Sequence, residues 1–277
     1  MKFTGERMIP ERNKDREIYM EHIARYSFAL QFVKNKKVLD IACGSGYGSQ
    51  MIIENGAKHV TGVDISEEAI LYCKNEYQHK NLEFKVGNVA KIPLEDDSVD
   101  VIISFETLEH VNEDVQREFL LEINRVLKRD GFLVISTPNS LVSPVGNEFH
   151  LKELNKDEFE IYLKSCFKSV KIYYQSDIQA SYIFSEKTMQ NKLEKDVFDI
   201  NKIVNYKKNE SYFLIAVCSN VNDDENDIKE NITLFNDKER KALLNEISIR
   251  NEIITNSEKL VVERDEYIKE LEERLNG

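Results

Sequence analysis

The chain has 277 residues, of which 41% are hydrophobic and 32% are charged, and its formal net charge is −12. This length accommodates one α/β domain with an appendage. Residues 219–277 carry sixteen acidic and nine basic side chains, and the rest of the chain is also acidic. Because neither part has the basic excess that a phosphate backbone requires, we expect no nucleic-acid partner.

The apolar segments are short, and none approaches the roughly 20 residues that span a bilayer. The N-terminus lacks the apolar region of a signal peptide. Four cysteines, Cys43, Cys73, Cys166 and Cys218, are widely spaced and form no C-x-x-C pair. This pattern is typical of buried thiols in a reducing compartment. We therefore expect a soluble, cytoplasmic protein without a transmembrane segment.

Secondary structure can be predicted from the spacing of apolar residues. Residues 1–15 show no periodicity and are predicted to form an arm, and three- and four-residue apolar steps predict a helix over 16–33. Short apolar runs then alternate with helical patterns, as in repeated βαβ units. The predicted strands are 37–42, 59–63, 82–86, 99–104, 131–136, 169–174 and 212–218, and the helices between them are 48–55, 67–77, 112–127 and 156–165.

This alternation predicts an α/β, Rossmann-like fold with a mostly parallel seven-stranded sheet, helices on both faces, and an antiparallel ending formed by the last two strands. A long C-terminal helix is also predicted, because apolar residues repeat there every seven positions. We expect this helix to form a coiled coil that mediates self-association or docking to a partner protein. The repeat consists of Ile247, Ile254, Val261, Ile268 and Leu275. The predicted units are an N-terminal arm and helix (1–35), a main domain (36–219) with a partly helical insertion (176–211), an acidic linker (220–235) and the coiled-coil helix (236–277).

The first predicted strand runs directly into a glycine-rich turn, Asp40-Ile41-Ala42-Cys43-Gly44-Ser45-Gly46-Tyr47-Gly48. Main chain can approach a ligand closely at such a turn, because glycine has no side chain. The G-x-G-x-G spacing matches the dinucleotide pattern only in part, and no Gly-Lys-Ser/Thr follows to grip a phosphate. These departures favour an adenosine cofactor without phosphate, S-adenosylmethionine.

The ends of the next two strands carry side chains suited to adenosine. Asp64, twenty residues beyond Gly44, can accept hydrogen bonds from both ribose hydroxyls, or it only caps the following helix. Asn88 is suited to the adenine amino group and Val89 to covering the ring; the alternative is a polar turn. We expect Asp40 to face the ammonium group of the ligand or the amides of the glycine turn.

Together these motifs resemble those of class I S-adenosylmethionine-dependent methyltransferases. The resemblance covers residues 36–140 well, extends more loosely to residue 218, and includes the motif at 94–102. The family's third-strand motif often has Asp where this chain has Asn88. The resemblance implies S-adenosylmethionine as the cofactor. The implied cofactor-binding residues are Asp40, Ala42, Gly44, Gly46, Tyr47, Asp64, Ile65, Asn88, Val89 and Phe105.

The fourth strand ends in Glu106-Thr107-Leu108-Glu109-His110, at the position that faces the acceptor of the methyl group. An alcohol acceptor must lose a proton, which a base or a nearby cation assists. We expect His110 to be the general base, oriented by Glu106 or Glu109. A less favoured alternative is a divalent metal held by Glu106, Glu109, His110 and His150. In the third interpretation, residues 106–110 have only a structural role: they form a turn that caps the next helix.

The Glu-x-x-Glu-His string is similar to the metal-binding motif of small-RNA 2′-O-methyltransferases and of ubiquinone-pathway O-methyltransferases. His150 is either an acceptor-pocket residue or an ordinary polar residue before a helix. The N-terminal sequence Thr4-Gly5-Glu6-Arg7-Met8-Ile9-Pro10-Glu11, followed by Tyr26-Ser27-Phe28-Ala29, resembles methyltransferases of surface-polysaccharide and glycan biosynthesis, which implies a sugar hydroxyl as the acceptor. The alternatives are O-methylation of a quinone, a lipid or another small metabolite, and a non-catalytic assembly subunit built on the coiled coil.

Overall fold

The computed structural model describes residues 17–142, 149–176, 211–221 and 228–230. The predicted N-terminal arm, the coiled-coil helix and nearly all of the 176–211 insertion lie outside the described residues. Most of the predicted acidic linker lies outside them as well. Five linker residues are described, 220–221 and 228–230. Lys229 among them contacts the 3-10 turn that follows the first helix: the Lys229 N–H donates to Gln31 Oε1 at 2.9 Å, and the Gln31 amide donates to the Lys229 carbonyl at 3.2 Å.

The described elements follow the predicted order. The helices are α1 (Glu17–Ala29, followed by a 3-10 turn at Leu30–Phe32), α2 (Tyr47–Glu54), α3 (Glu67–Glu76), α4 (Glu113–Val126) and α5 (Lys156–Lys164). The strands are β1 (Lys37–Ile41), β2 (His59–Asp64), β3 (Leu82–Val86), β4 (Val99–Ser104), β5 (Leu127–Pro138), β6 (Ser169–Gln175) and β7 (Phe213–Ser219). Most boundaries lie within two residues of the prediction, but β5 begins four residues earlier, at Leu127.

The strands form one seven-stranded sheet in the order β3-β2-β1-β4-β5-β7-β6. Strands β1 to β5 pair in parallel, whereas β7 lies antiparallel between β5 and β6. The antiparallel character of the ending therefore comes from β7 alone, because β6 runs in the direction of β5. The order of strands reverses between β1 and β4, and ligands of such sheets bind at the carboxyl ends of the strands near that point.

The side chains of β1 alternate between the two faces of the sheet, which are both covered by helices. Leu39 and Ile41 belong to one apolar cluster with Phe119 of α4. Val38 belongs to a second cluster, with Ile52 of α2. Burying one such side chain contributes about 2 kcal/mol to stability. The sheet therefore forms the centre of the domain, as predicted, and its carboxyl edge is held in place from both faces.

All four cysteines are free thiols: Cys43, Cys73 and Cys218 are buried and Cys166 is partly buried. They behave as the small apolar residues that their spacing predicts. None of the described helices combines the length and the apolar character needed to cross a membrane.

Candidate active site

The turn after β1 has left-handed backbone at Ala42, Gly44 and Gly46, with φ of 61°, 55° and 80°. An alanine in this region is uncommon and costs conformational energy, which proteins retain mainly at functional sites. A Cβ added to Gly48 would lie 1.9 Å from the Tyr26 ring, and one added to Gly46 would lie 2.7 Å from a side chain of α3. A Cβ on Gly44 would meet nothing within 4 Å. Gly44 therefore borders open space, and the other two glycines permit packing.

Asp40 is buried in β1 and accepts hydrogen bonds from Ser49 Oγ at 2.6 Å and from the Tyr26 hydroxyl at 3.1 Å. Burial raises the pKa of Asp40 to about 6, although both hydroxyl bonds act in the opposite direction. The expectation that Asp40 receives the amides of the glycine turn is wrong, because these hydroxyl groups of α1 and α2 take that position. The sequence placed Tyr26 on the apolar face of α1 and in the segment that resembles glycan methyltransferases, but did not predict its contact with Asp40.

Asp64 ends β2 and binds main chain on both sides. Its Oδ2 accepts from the Gly44 N–H and its Oδ1 from the Ser66 N–H, each at 2.9 Å. The helix-cap alternative for Asp64 is wrong, since Ser66 caps α3 by accepting from the Ala69 N–H. The neighbouring Ile65 is 68% exposed. A carboxylate, an exposed apolar side chain and the open Gly44 thus lie together, and this combination fits the hydroxyls and the ring of a nucleoside.

The end of β3 combines a polar turn with partial burial. The Asn88 side-chain oxygen accepts from the Ala90 N–H at 2.9 Å, so the turn that was the alternative does form. Val89 is partly buried and packs against the apolar cluster that contains Leu39 and Phe119. An adenine amino group would donate to the same Asn88 oxygen, whereas the Asn88 amide nitrogen could donate only to a ring nitrogen of adenine.

Aromatic rings join α1 to the glycine turn and to the end of β4. The Tyr26 ring lies edge-on to Tyr47 at 5.6 Å and to Phe105 at 5.0 Å between centroids. The Tyr47 hydroxyl is hydrogen-bonded to His22 Nδ1 at 2.9 Å. Tyr47 and Phe105, both predicted cofactor residues, therefore lie in one ring cluster beside the carboxyl edge, and α1 is part of the site.

The end of β4 places two carboxyl groups in different surroundings. Glu106 has φ 52°, and its Oε1 accepts from Ser136 Oγ at 2.6 Å. Glu109 is fully buried; its Oε2 accepts from Thr137 Oγ1 at 3.4 Å, and its Oε1 has no hydrogen-bond partner within the described part of the chain. Burial, and secondarily the charge of Glu106, raises the pKa of Glu109.

The His110 ring lies beside Glu109 and His150. Its Nδ1 is 3.1 Å from the Phe149 carbonyl oxygen; because a carbonyl only accepts, Nδ1 carries the proton of this bond and the neutral ring has its lone pair on Nε2. His110 Nε2 is 4.0 Å from Glu109 Oε1, and the His150 ring centroid is 5.1 Å from that of His110. His150 Nδ1 in turn lies 2.5 Å from Glu153 Oε1.

Three of the four predicted metal ligands come together here. Glu109, His110 and His150 each offer a ligand atom, and these atoms lie within 4.8 Å of one another. Glu106 is not part of this group and binds Ser136 instead. Two imidazoles and a carboxylate are a common ligand set for a divalent transition metal. Because Glu109 Oε1 has no hydrogen-bond partner among the described residues, it is available as a ligand, and the three residues could hold such an ion.

The string from Glu106 to His110 does not cap the following helix. Asn112 caps α4, since its side-chain oxygen accepts from the Val115 N–H at 3.0 Å. The string has a structural role through its main-chain atoms. The N–H groups of Leu151 and Lys152 donate to the Glu109 carbonyl at 2.7 and 3.2 Å. These bonds bring the segment that contains His150 over the end of β4.

A parallel sheet of this order, with a glycine turn after β1 and a carboxylate at the end of β2, defines a Rossmann-like methyltransferase fold. The family described as "Methyltransferase domain" matches residues 32–194, more than half of the chain. A Mycobacterium tuberculosis protein, named as a probable S-adenosylmethionine-dependent methyltransferase, is 36% identical over 160 residues, which cover 56% of this chain and 57% of that protein.

A Mycobacterium ulcerans relative, phthiotriol/phenolphthiotriol dimycocerosates methyltransferase 1, is 31% identical over 117 residues, covering 41% of this chain and 42% of that protein. The solved structure of an Archaeoglobus fulgidus SAM-dependent methyltransferase has a TM-score of 0.53 and 19% identity, and the match covers 76% of this chain and 96% of that chain. The chain belongs to the methyltransferase-domain family: it contains a class I S-adenosylmethionine-dependent methyltransferase domain, whose cofactor is S-adenosylmethionine. It spans less than two thirds of the length of the mycobacterial relatives.

Proposed function

We propose that the chain O-methylates a hydroxyl group of a sugar or glycan, with His110 as the general base. The observation that carries the proposal is the hydrogen bond between His110 Nδ1 and the Phe149 carbonyl, which leaves the lone pair on Nε2. The side chain of His110 is 33% exposed, so an acceptor can reach it.

In this proposal the two halves of the carboxyl edge have different tasks. Gly44, Asp64 and Ile65 bind the adenosine part of the cofactor, with Asn88 and Val89 at the adenine. S-adenosylmethionine, when bound, supplies a methyl group on a sulfonium. His110 lies on the other half and accepts the proton of the acceptor hydroxyl, and the surrounding loops hold the hydroxyl in line with the methyl group.

A polyhydroxylated acceptor is supported by the polar character of the edge beyond β4. Ser136 and Thr137 at the end of β5 are fully buried and donate to Glu106 and Glu109, whereas Glu106 and His110 are partly exposed. A quinone would favour apolar side chains at these exposed positions. The resemblance of residues 4–11 to methyltransferases of glycan biosynthesis points to the same acceptor class.

A lipid hydroxyl is the second candidate acceptor. Phe149 and Leu151 flank His150 in the chain, and Leu141 follows the end of β5; the three apolar side chains are 45%, 64% and 68% exposed. Exposed apolar side chains grouped near a site often mark a surface for an apolar ligand. The Mycobacterium ulcerans relative is named for a lipid substrate. A lipid-linked glycan would combine both kinds of surface.

A divalent metal is an alternative to the general base in the same reaction. Glu109, His110 and His150 would hold the ion, which would supply a lower pKa for the acceptor hydroxyl. If this alternative is right, a chelator abolishes methyl transfer and added Mg²⁺ or Mn²⁺ restores it. Transfer that is insensitive to the chelator supports the base instead.

The C-terminal helix at 236–277 is proposed to associate with a second copy or with a partner protein, through the seven-residue apolar repeat. Light scattering should give a mass above 32.3 kDa for the full chain. A variant that ends after residue 235 should be monomeric. Equal association states for the two chains would contradict this proposal. Calorimetry that shows no binding of S-adenosylmethionine would favour the alternative, an assembly subunit without catalysis.

The acceptor class can be tested by incubating the full chain with S-adenosylmethionine that carries a labelled methyl group. The acceptors are sugar nucleotides, free glycans, lipid-linked glycans and hydroxylated lipids. We expect label in a methyl ether on a sugar oxygen. Label only on nitrogen, or only on acceptors without a sugar, would refute the proposal.

The role of His110 can be tested with His110→Ala, with His79→Ala as a control, because His79 is an exposed histidine outside the site. Loss of general-base catalysis typically lowers turnover by about 10²–10⁴-fold. We expect such a loss in His110→Ala, with unchanged affinity for S-adenosylmethionine and normal turnover in the control. Equal turnover in both variants would exclude His110 as the base.

A further inference from the structure

Arg25 of α1 is a buried cation at the carboxyl edge. The residue is 1% exposed. Its Nη1 donates to Gln175 Oε1 at 2.9 Å, and its guanidinium carbon lies 4.4 Å from the centroid of the Phe213 ring. Nε and Nη2 are also buried, and neither has a hydrogen-bond partner within the described part of the chain. Two of the three guanidinium nitrogens therefore have unused donors.

The positive charge of Arg25, like two of its guanidinium nitrogens, has no partner among the described residues. Among the described residues, no carboxylate lies within ion-pair distance of the guanidinium. Burying a cation without a counter-ion is unfavourable, and buried charges are paired as a rule. The energetics of the site therefore favour an anion that arrives with a ligand.

The surroundings of Arg25 place the guanidinium beside the candidate active site. Phe213 begins β7 and pairs with Pro138 at the end of β5 and with Gln175 at the end of β6. The Gln175 amide also donates to the Glu21 carbonyl at 3.0 Å, which fixes this corner to α1. Burial, and secondarily the Arg25 charge, lowers the pKa of His22, and the Arg25 charge also opposes the burial that raises the pKa of Glu109. The guanidinium thus lies over the half of the edge that was assigned to the acceptor.

We propose that Arg25 binds an anionic pair of oxygens, a carboxylate or a phosphate, on a ligand of the methyl-transfer site, an inference that rests on the proposed function. A guanidinium presents parallel N–H groups that match both anions. The anion has two possible sources: the carboxylate of the cofactor's methionine portion, or an acidic group on the acceptor, such as the phosphate of a sugar phosphate. The position beside β5 and β7 favours the acceptor.

The test uses the full chain with Arg25→Met and Arg25→Lys, and with Arg117→Met as a control at an exposed arginine of α4. A methionine keeps an apolar stem over Phe213 but has no charge. Because none of the described residues supplies the guanidinium with a counter-ion, Arg25→Met should melt at the same temperature as the wild type or higher. A large loss of thermal stability in Arg25→Met alone would show a structural role and overturn the proposal.

Calorimetry with three probes distinguishes the two sources. If the anion belongs to the cofactor, Arg25→Met weakens S-adenosylmethionine binding by at least about tenfold and leaves binding of its decarboxylated analogue unchanged. If the anion belongs to the acceptor, both cofactor affinities are unchanged and binding of inorganic phosphate is lost. Arg25→Lys should retain part of the lost affinity in either case.

The proposal would be overturned if Arg25→Met and Arg117→Met bound all three probes with the same affinity. The phosphate titration requires no sugar acceptor. A failure to methylate sugars would therefore refute the proposed function without deciding the role of Arg25.

Discussion

Asp40 shows how one buried carboxyl group links stability to the site. Within the described part of the chain its partners are the hydroxyl groups of Tyr26 and Ser49, and no ion pair joins it to a cation. Burial raises its pKa from 3.8 to about 6. Since the folded protein binds this proton more tightly than the unfolded chain, the contribution of Asp40 to stability is greatest at low pH and falls as the pH rises from about 4 to about 6.

Asp40→Asn should remove this pH dependence, because an amide does not ionise. Relative to the variant, the free energy of unfolding of the wild type should fall by up to about 3 kcal/mol between pH 4 and pH 7. Urea unfolding of both proteins across this range measures the difference. Parallel curves would contradict the raised pKa.

At the scale of elements, the glycines of the turn after β1 have two different functions, packing and ligand access, which the sequence pattern does not distinguish. The three glycines look equivalent in the G-x-G-x-G motif. In the fold, Gly48 allows the Tyr26 ring to contact α2, whereas Gly44 faces open space and is held by Asp64. One glycine therefore serves the packing of α1 against the turn, and another serves access to the ligand.

Matched alanine substitutions should separate these functions. Gly48→Ala places a Cβ 1.9 Å from the Tyr26 ring and should reduce the free energy of unfolding by about 1–3 kcal/mol or more. Gly44→Ala should cost only about 1 kcal/mol, from its positive φ, but should weaken cofactor binding. Chemical unfolding and calorimetry provide the two readouts. Normal cofactor affinity in Gly44→Ala would show that the open space beside this residue is not the cofactor site.

Local patterns predicted most elements because their apolar runs are bounded by polar turns. The exception is the start of β5, Leu127-Lys128-Arg129-Asp130. Three consecutive charged residues there do not give the apolar pattern of a strand. Lys128 forms an ion pair with Asp100 of β4. The insertion of β7 between β5 and β6 depends on pairing between segments far apart in the chain. No local pattern reports such pairing.

The site was predictable to the extent that its residues end strands. Asp64, Glu109 and His110 follow apolar runs, and their place at the carboxyl edge follows from the parallel sheet. The contacts of α1 were not predictable: Arg25, which the sequence offers only as a weak candidate for an acceptor contact, bonds Gln175 of β6, and Tyr26 bonds Asp40 of β1. The separation of Glu106 from the Glu109 group also depends on a side-chain contact with Ser136.

At the scale of the whole molecule, the proposed function assigns the carboxyl edge of the sheet to two ligands. The cofactor binds at the ends of β1 to β3, and the acceptor binds at the ends of β4 to β6. Equilibrium binding of S-adenosylmethionine to wild type, Asp64→Asn and His110→Ala tests this division most directly. Asp64→Asn should weaken binding by at least about tenfold, because an amide cannot replace the second acceptor oxygen. His110→Ala should change the affinity by less than about twofold, because its contact forms with the acceptor. Wild-type affinity in Asp64→Asn, or an equal loss in His110→Ala, would contradict the division.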